Sequence, residues 1–253
     1  MHEKIEFMGL LFDSVSMSEA IEQCMQWCMD EGPSRTLMTI NAALLMMMRN
    51  DSDLNQAVSA GDLVVADGLS VVWGTRFVGT PLIGRVAGID LMQNLLNVSN
   101  ERKLRVFFLG AKQHVIDDMI QLCVGKYSNL VIAGSRNGYF NESDHTDVVQ
   151  RVRESNADIL FLGMPSPFKE IWGERYRNAL NVSVIIGVGG SFDVIAGHVK
   201  RAPRWMQCSG MEWFWRLIME PRKLWRRYLV YNSAFIYRLG IEIFNKRFSP
   251  DSK

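Results

Sequence analysis

Six short apolar runs, each closed by a polar or glycine position and five of them followed by a helical pattern, constrain this chain more than any other feature. They fall at 36–40, 63–66, 104–109, 130–133, 159–162 and 184–188, and are rich in β-branched and aromatic residues. The spacing predicts helices at 42–49, 69–77, 114–124, 144–155 and 169–180. Strands with no polar face must be covered on both sides, and strand–helix alternation supplies that cover. The expected fold is therefore α/β and Rossmann-like: a mostly parallel sheet flanked by helices. The 253 residues divide into two α/β halves, 1–100 and 101–195, with a joint at 99–103. A C-terminal helical appendage, 196–253, follows, in which Pro221 interrupts the helical pattern of 217–237.

In a parallel sheet, ligands bind beyond the carboxyl ends of the strands. Thr39 near the end of a predicted strand, and Asn41, Asp67, Gly68, Gly110, the segment 163–167, Gly189 and Gly190 just after strands, can share one crevice. Gly187-Val-Gly-Gly-Ser-Phe-Asp193 is a glycine-rich loop. It serves either to bring backbone N–H groups close to phosphate or simply to turn the chain. Asp193 there is a helix cap or a ribose or base contact. Asp67-Gly68 is a turn or places a general base, which needs partial desolvation to work near neutral pH. Arg85 is a solvated loop cation unless the crevice holds a diphosphate, which a guanidinium grips in bidentate fashion. Asp51-Ser-Asp53 has a metal-binding form but reads as a solvated helix–helix connection. The four histidines are scattered, and no His/Glu or Cys/His cluster indicates a metal. No Gly-x-Ser-x-Gly elbow is present, which argues against a hydrolase triad.

The appendage differs in kind from the body. It carries 12 Lys+Arg against 4 Asp+Glu, whereas residues 1–195 carry 16 against 23. Trp205, Trp213, Trp215 and Trp225 are interleaved with the basic residues. Basic and aromatic residues together suit an anionic lipid surface better than nucleic acid, because the body is acidic and the bulky side chains fit a headgroup layer. Packed helices with snorkelling cations are the structural alternative. No uncharged apolar run reaches the ~18 residues of a membrane span. The first residues, Met1-His-Glu-Lys-Ile-Glu, lack the basic-then-apolar pattern expected of a signal peptide. The four cysteines have no metal or disulfide spacing, which favours a reducing compartment.

Ordered motifs extend these observations. They are Thr39-Ile-Asn41-Ala, Ala66-Asp67-Gly68, Arg85-Val-Ala-Gly88-Ile-Asp90-Leu, Phe108-Leu-Gly110, Asn137-Gly-Tyr-Phe140, the segment 167–172, Gly187 to Asp193, Arg201-Ala-Pro-Arg-Trp205, Glu212-Trp, Arg216-Leu, Glu220-Pro-Arg222 and Trp225-Arg-Arg-Tyr228. Over roughly residues 5–237 the chain resembles the WecG/TagA/CpsF family of bacterial glycosyltransferases. The resemblance implies inverting transfer from a UDP-sugar, either N-acetylmannosamine, its uronic acid or a related hexose. The acceptor is a saccharide on polyprenyl diphosphate, in surface polysaccharide or cell-wall polymer synthesis. It implies no cofactor and no required metal, and a protein held peripherally at the inner face of the bacterial membrane. A homo-oligomer is compatible with it. Asp67 matches the family's base, Arg85 an arginine at the leaving diphosphate, and Thr39 and Asn41 the neighbouring pocket. Gly68, Gly88, Gly110, Pro167, Lys169, Glu170, Gly189, Gly190, Phe192 and Asp193 are the further expected substrate contacts. Arg201, Arg204, Arg216, Arg222, Arg226 and Arg227 are the expected membrane or diphosphate contacts.

Two positions depart from the family pattern. Pro167-Phe-Lys169-Glu170-Ile-Trp172 places a cation where a neutral amide is usual, and Ala87 stands in place of Thr. Lys169 beside the sugar would favour an acidic or differently oriented donor. Two other function classes compete. A Rossmann-like oxidoreductase would need Gly-x-Gly-x-x-Gly and a Tyr-x-x-x-Lys pair, which are absent. A non-catalytic membrane scaffold would not need Asp67 at all.

Overall fold

The computed structural model describes residues 2–248, without the side chains of residues 223, 247 and 248; positions 249–253 of the expected appendage lie outside the described residues. The body begins with β1 (Lys4–Phe7), β2 (Leu10–Asp13), α1 (Met17–Met29), β3 (Arg35–Ile40), α2 (Ala42–Met47), α3 (Ser52–Ser59), β4 (Leu63–Ala66), α4 (Leu69–Phe77) and α5 (Gly88–Arg102). It continues with β5 (Arg105–Gly110), α6 (Gln113–Lys126), β6 (Val131–Arg136), α7 (His145–Glu154), β7 (Ile159–Gly163), α8 (Phe168–Leu180), β8 (Val184–Gly187) and α9 (Ser191–Ile195). The appendage consists of α10 (Arg204–Cys208), α11 (Glu212–Met219) and α12 (Pro221–Phe248).

The six strands β3 to β8 form one parallel sheet in the order β4-β3-β8-β7-β5-β6. Its strands come from both sides of residue 100, and β3 is hydrogen-bonded directly to β8. The segment 99–103 is the last turn of α5, closed by Lys103 in the left-handed region (φ 57). Alternate residues of each strand feed opposite faces. Leu37, Val65, Phe108, Phe161 and Ile186 belong to one apolar layer. Met38, Ile40 and Val64, with Phe107, Leu109 and Leu160 further along the sheet, lie on the other face. Helices α1, α5, α6 and α9 cover the first face; α2, α3, α4, α7 and α8 cover the second. Each fully buried Phe or Leu contributes roughly 1.5–3 kcal/mol relative to exposure; the first face carries one continuous apolar cluster, and the second is divided into two.

The β1–β2 hairpin is outside the predicted alternation. Its two-residue turn has Met8 at φ 52 and Gly9 at φ 84, the left-handed pair that a tight hairpin demands. Asp13 anchors the hairpin to the sheet edge: Val64 N–H donates to Asp13 Oδ2 at 2.8 Å. Pro221 is the first residue of α12 rather than a kink within one helix, where its missing N–H costs nothing. Cys24 and Cys123 are buried in the first apolar layer, and burial pushes their thiols up.

Candidate active site

Successive strands are added to one side of β5 (β6) and then to the other (β7, β8), so the strand order switches between β5 and β7, where a crevice is expected at the carboxyl ends. Gly110 (φ +150) and Gly163 meet there so closely that a Cβ on Gly110 would lie 2.4 Å from Gly163. The crevice extends from this point across β8 and β3 to β4. The appendage lies along it and encloses a cavity of about 1290 Å³.

Short-range constraints set the β3–β4 end. Asn41 follows β3 and caps α2, accepting from Leu44 N–H at 3.0 Å. Thr39 Oγ1 donates to Gly187 O at 3.0 Å and ties β3 to β8. Asp67 N–H donates to Ile40 O at 2.9 Å, which fixes its backbone at the end of the ladder. The loop before α5 then crosses β4. Arg85 Nε–H donates to Asp67 O at 2.6 Å, and Gly88 N–H donates to Asp67 Oδ1 at 3.0 Å. Among the described residues no hydrogen bond engages Asp67 Oδ2. Thr39, Asn41, Asp67, Gly68, Arg85 and Gly88 all line the cavity.

Long-range ion pairs hold the appendage over this end. Arg85 Nη2 pairs with Glu212 Oε2 at 2.5 Å. Arg201 grips Asp90 with two bonds of 2.6 and 2.7 Å, and its Nε lies 3.6 Å from Glu212 Oε1. The arginines thus divide into groups. Arg85 and Arg201 are neutralised by carboxylates. Arg216 and Arg227 line the cavity half-buried, and no carboxylate pairs with either among the described residues. The Nε atoms of both are buried without an acceptor. Burial pulls the Arg227 guanidinium below its usual pKa. Arg204, Arg222 and Arg226 are exposed and lie away from the cavity wall.

The glycine loop lies opposite. A Cβ on Gly190 would approach Arg216 Nη2 to 2.4 Å, so this glycine is what lets the appendage arginine reach the loop. Gly189 (φ +54) donates its N–H to Leu162 O at 3.2 Å, so that amide is already engaged. Below the loop, Lys169 Nζ contacts Glu170 Oε1 and donates to Ser166 Oγ at 2.9 Å, and Ser166 Oγ donates to Glu170 Oε1 at 2.8 Å. Lys169 is 7% exposed. Its burial, with the Arg227 charge adding to it and Asp67 opposing, brings the ammonium down to about 7.

Several expected contacts lie behind the cavity wall. Phe192 is fully buried and packs edge-on against Phe108 at 5.8 Å, so it supports the loop from within the core. Glu170 is 4% exposed and answers Lys169. Gly110 provides the close approach to Gly163, and Pro167 caps α8 after a cis peptide bond. Asp193 and Lys169 do line the cavity. Asp51 caps α3 by accepting from Leu54 N–H at 2.9 Å, which fits the connection read from sequence. Among the described residues no cluster of three or more His, Cys, Asp or Glu could hold a metal ion. Glu212 and Asp90 carry the docking of the appendage, yet sequence reading gave them no role. Their partners lie 127 and 111 residues away, so local spacing holds no signal of the pairing.

The Glycosyl transferase WecG/TagA/CpsF family profile matches residues 5–249. The chain is 35% identical over 221 residues to an N-acetylglucosaminyldiphosphoundecaprenol N-acetyl-beta-D-mannosaminyltransferase of Bacillus subtilis, spanning 87% of this chain and 85% of that protein. It is 33% identical over 201 residues to the protein of the same name from Bacillus spizizenii, spanning 79% and 77%. With the α/β body and strand-end crevice described above, these matches place the chain in the WecG/TagA/CpsF family of glycosyl transferases.

Proposed function

We propose that this glycosyltransferase moves N-acetylmannosamine from UDP to a saccharide carried on polyprenyl diphosphate, with inversion at the anomeric carbon. The observation that carries the reading is Asp67. One of its carboxylate oxygens is fixed by Gly88 N–H, and the residue shares a cavity with two half-buried arginines that have no carboxylate partner among the described residues and whose Nε atoms lack an acceptor. In this reading the acceptor hydroxyl attacks the anomeric carbon and gives its proton to Asp67. The C–O bond to UDP breaks, and the electron pair leaves with the diphosphate. Arg216 beside Gly190 stabilises that charge, so no metal is needed. Cover by α11 and α12 limits water, which would otherwise consume the donor.

The Lys169–Glu170 pair bears on the donor sugar. Glu170 already answers the ammonium, so a neutral hexosamine asks nothing further of it. A uronic acid must displace Glu170 to be read, which makes it the second reading. In the transferase reading the appendage is the peripheral membrane contact, because exposed Arg204, Arg222 and Arg226 stand in it with exposed Trp205 and Trp225; no helix among the described residues is long and apolar enough to cross a bilayer. The test is transfer by purified protein to an N-acetylglucosamine–diphosphate–lipid acceptor, using a panel of UDP-sugars with and without EDTA. Turnover of UDP-N-acetylmannosamine that survives EDTA is expected. Preference for a uronic acid donor, or loss of turnover restored only by a divalent cation, would reject the neutral donor or the metal-free mechanism respectively.

A further inference from the structure

The cavity has two kinds of wall. Near the ends of β5, β7 and β8 it is lined by polar groups such as Lys112, Asn141 and Asp193. Along α4 it is lined by Leu69, Trp73 and Phe77, and α11 and α12 contribute Trp213, Tyr228 and Ile236 to the lining. Leu69, Trp73 and Phe77 are spaced four residues apart and form one stripe about 12 Å long. The stripe starts two residues beyond Asp67.

The appendage approaches α4 closely at two points. A Cβ on Gly210 would lie 2.9 Å from the Trp73 ring, and one on Gly74 would lie 3.4 Å from the Phe235 ring. Trp213 meets Tyr228 edge-on at 5.9 Å. The outer end is open, with Phe77 67% and Ile236 70% exposed. At the inner end Arg227 precedes Tyr228 on the same helix, its Nε buried without an acceptor. The groove is therefore cationic inside, apolar along its length and open to the surface. A contiguous exposed apolar lining of this kind marks a binding surface. A nucleotide-sugar has no hydrocarbon to fill it, and the total volume exceeds the roughly 300–1,000 Å³ of a site for one small ligand.

We infer that the groove between α4 and α11–α12 binds the first isoprene units of the acceptor's polyprenyl chain, with the acceptor diphosphate beside Arg227. The identity of the chain rests on the transferase reading above; the amphiphilic character of the groove does not. Charge complementarity at the inner end and the apolar stripe beyond it select an amphiphile with a diphosphate head. The acceptor would reach Asp67 already oriented, head inward and chain outward.

The test uses the full chain in detergent micelles with a geranylgeranyl diphosphate probe bearing a terminal benzophenone. Because the probe carries no sugar, labelling is read without turnover. Photolabel is expected on peptides spanning 69–77 and 228–239, competed by undecaprenyl diphosphate and at least tenfold less well by a straight-chain dodecyl diphosphate. Phe77→Asp and Ile236→Asp, both at exposed positions, are expected to lower labelling at least tenfold while UDP protection in a thermal shift assay is unchanged. Label confined to other helices, equal competition by the straight chain, or labelling indifferent to both substitutions would overturn the inference. Labelling that persists in a protein with no transferase activity would support the groove and reject the transferase reading alone.

Discussion

Asp67 owes its position to backbone rather than to a buried network. Its N–H completes the β3–β4 ladder, its carbonyl accepts from Arg85, and one carboxylate oxygen accepts from Gly88 N–H. Asn at this position can still accept from Gly88 but cannot take a proton. Asp67→Asn is therefore expected to keep its melting temperature and UDP affinity while transfer falls about 100- to 10,000-fold. Near-normal turnover in that variant would remove Asp67 from the chemistry. Lys169 permits a second prediction. Below about 7 the folded and unfolded chains both hold its proton, and the cost of burying the charge is fully present. Between about 7 and its ordinary value of 10.5 the folded protein has released a proton that the unfolded chain keeps, so stability rises with pH across that window. Lys169→Gln removes this titration. The melting temperature of the variant minus that of the parent should be larger at pH 6.5 than at pH 9; a constant difference would show that Lys169 does not titrate there.

At the scale of elements, α11 is held by charge. Glu212 faces Arg85 and Arg201, and Arg201 is also gripped by Asp90. Glu212→Gln leaves Arg85 without a carboxylate partner among the described residues and Arg201 with Asp90 alone. Given about 1.5–3 kcal/mol for a hydrogen bond to a charged group, amides of α10 and α11 should exchange faster by roughly 10- to 100-fold, with the sheet unchanged. Equal exchange in both proteins would mean that packing, not charge, seats the appendage. The same pairs show why the site was only partly legible in the sequence. The strands and the residues just after them followed from period and turn chemistry, which are local. Asn41, Asp67 and Gly189 stand just beyond strand ends and Thr39 in the last two residues of β3, and all four line the cavity. Phe192 was misplaced as a ligand contact because a strand-end motif gives position along the chain but not the direction of a side chain. Its ring turns inward against Phe108. The hairpin turn at Met8-Gly9 was missed because only one of its two left-handed residues is a glycine.

For the whole molecule, seven arginines of the site and the appendage fall into three groups. Arg85 and Arg201 latch the appendage, Arg216 and Arg227 face the cavity, and Arg204, Arg222 and Arg226 point into solvent. The third group shares the appendage with exposed Trp205 and Trp225, which are 64% and 53% accessible. Cations beside exposed indoles are what an anionic headgroup layer binds. Each basic residue near such a surface contributes about 1 kcal/mol. Replacing Arg204, Arg222 and Arg226 together by Gln should therefore weaken binding to vesicles containing anionic lipid by roughly 100-fold. The loss should be largest at low salt, because screening shortens the reach of surface charge. Co-sedimentation with anionic and with zwitterionic vesicles, at low and physiological salt, measures this directly. UDP protection serves as the control, since these three side chains lie outside the cavity. If the triple variant partitions like the parent onto anionic vesicles, the indoles and not the arginines hold the protein to lipid. The arginine excess would then have to act elsewhere on the surface.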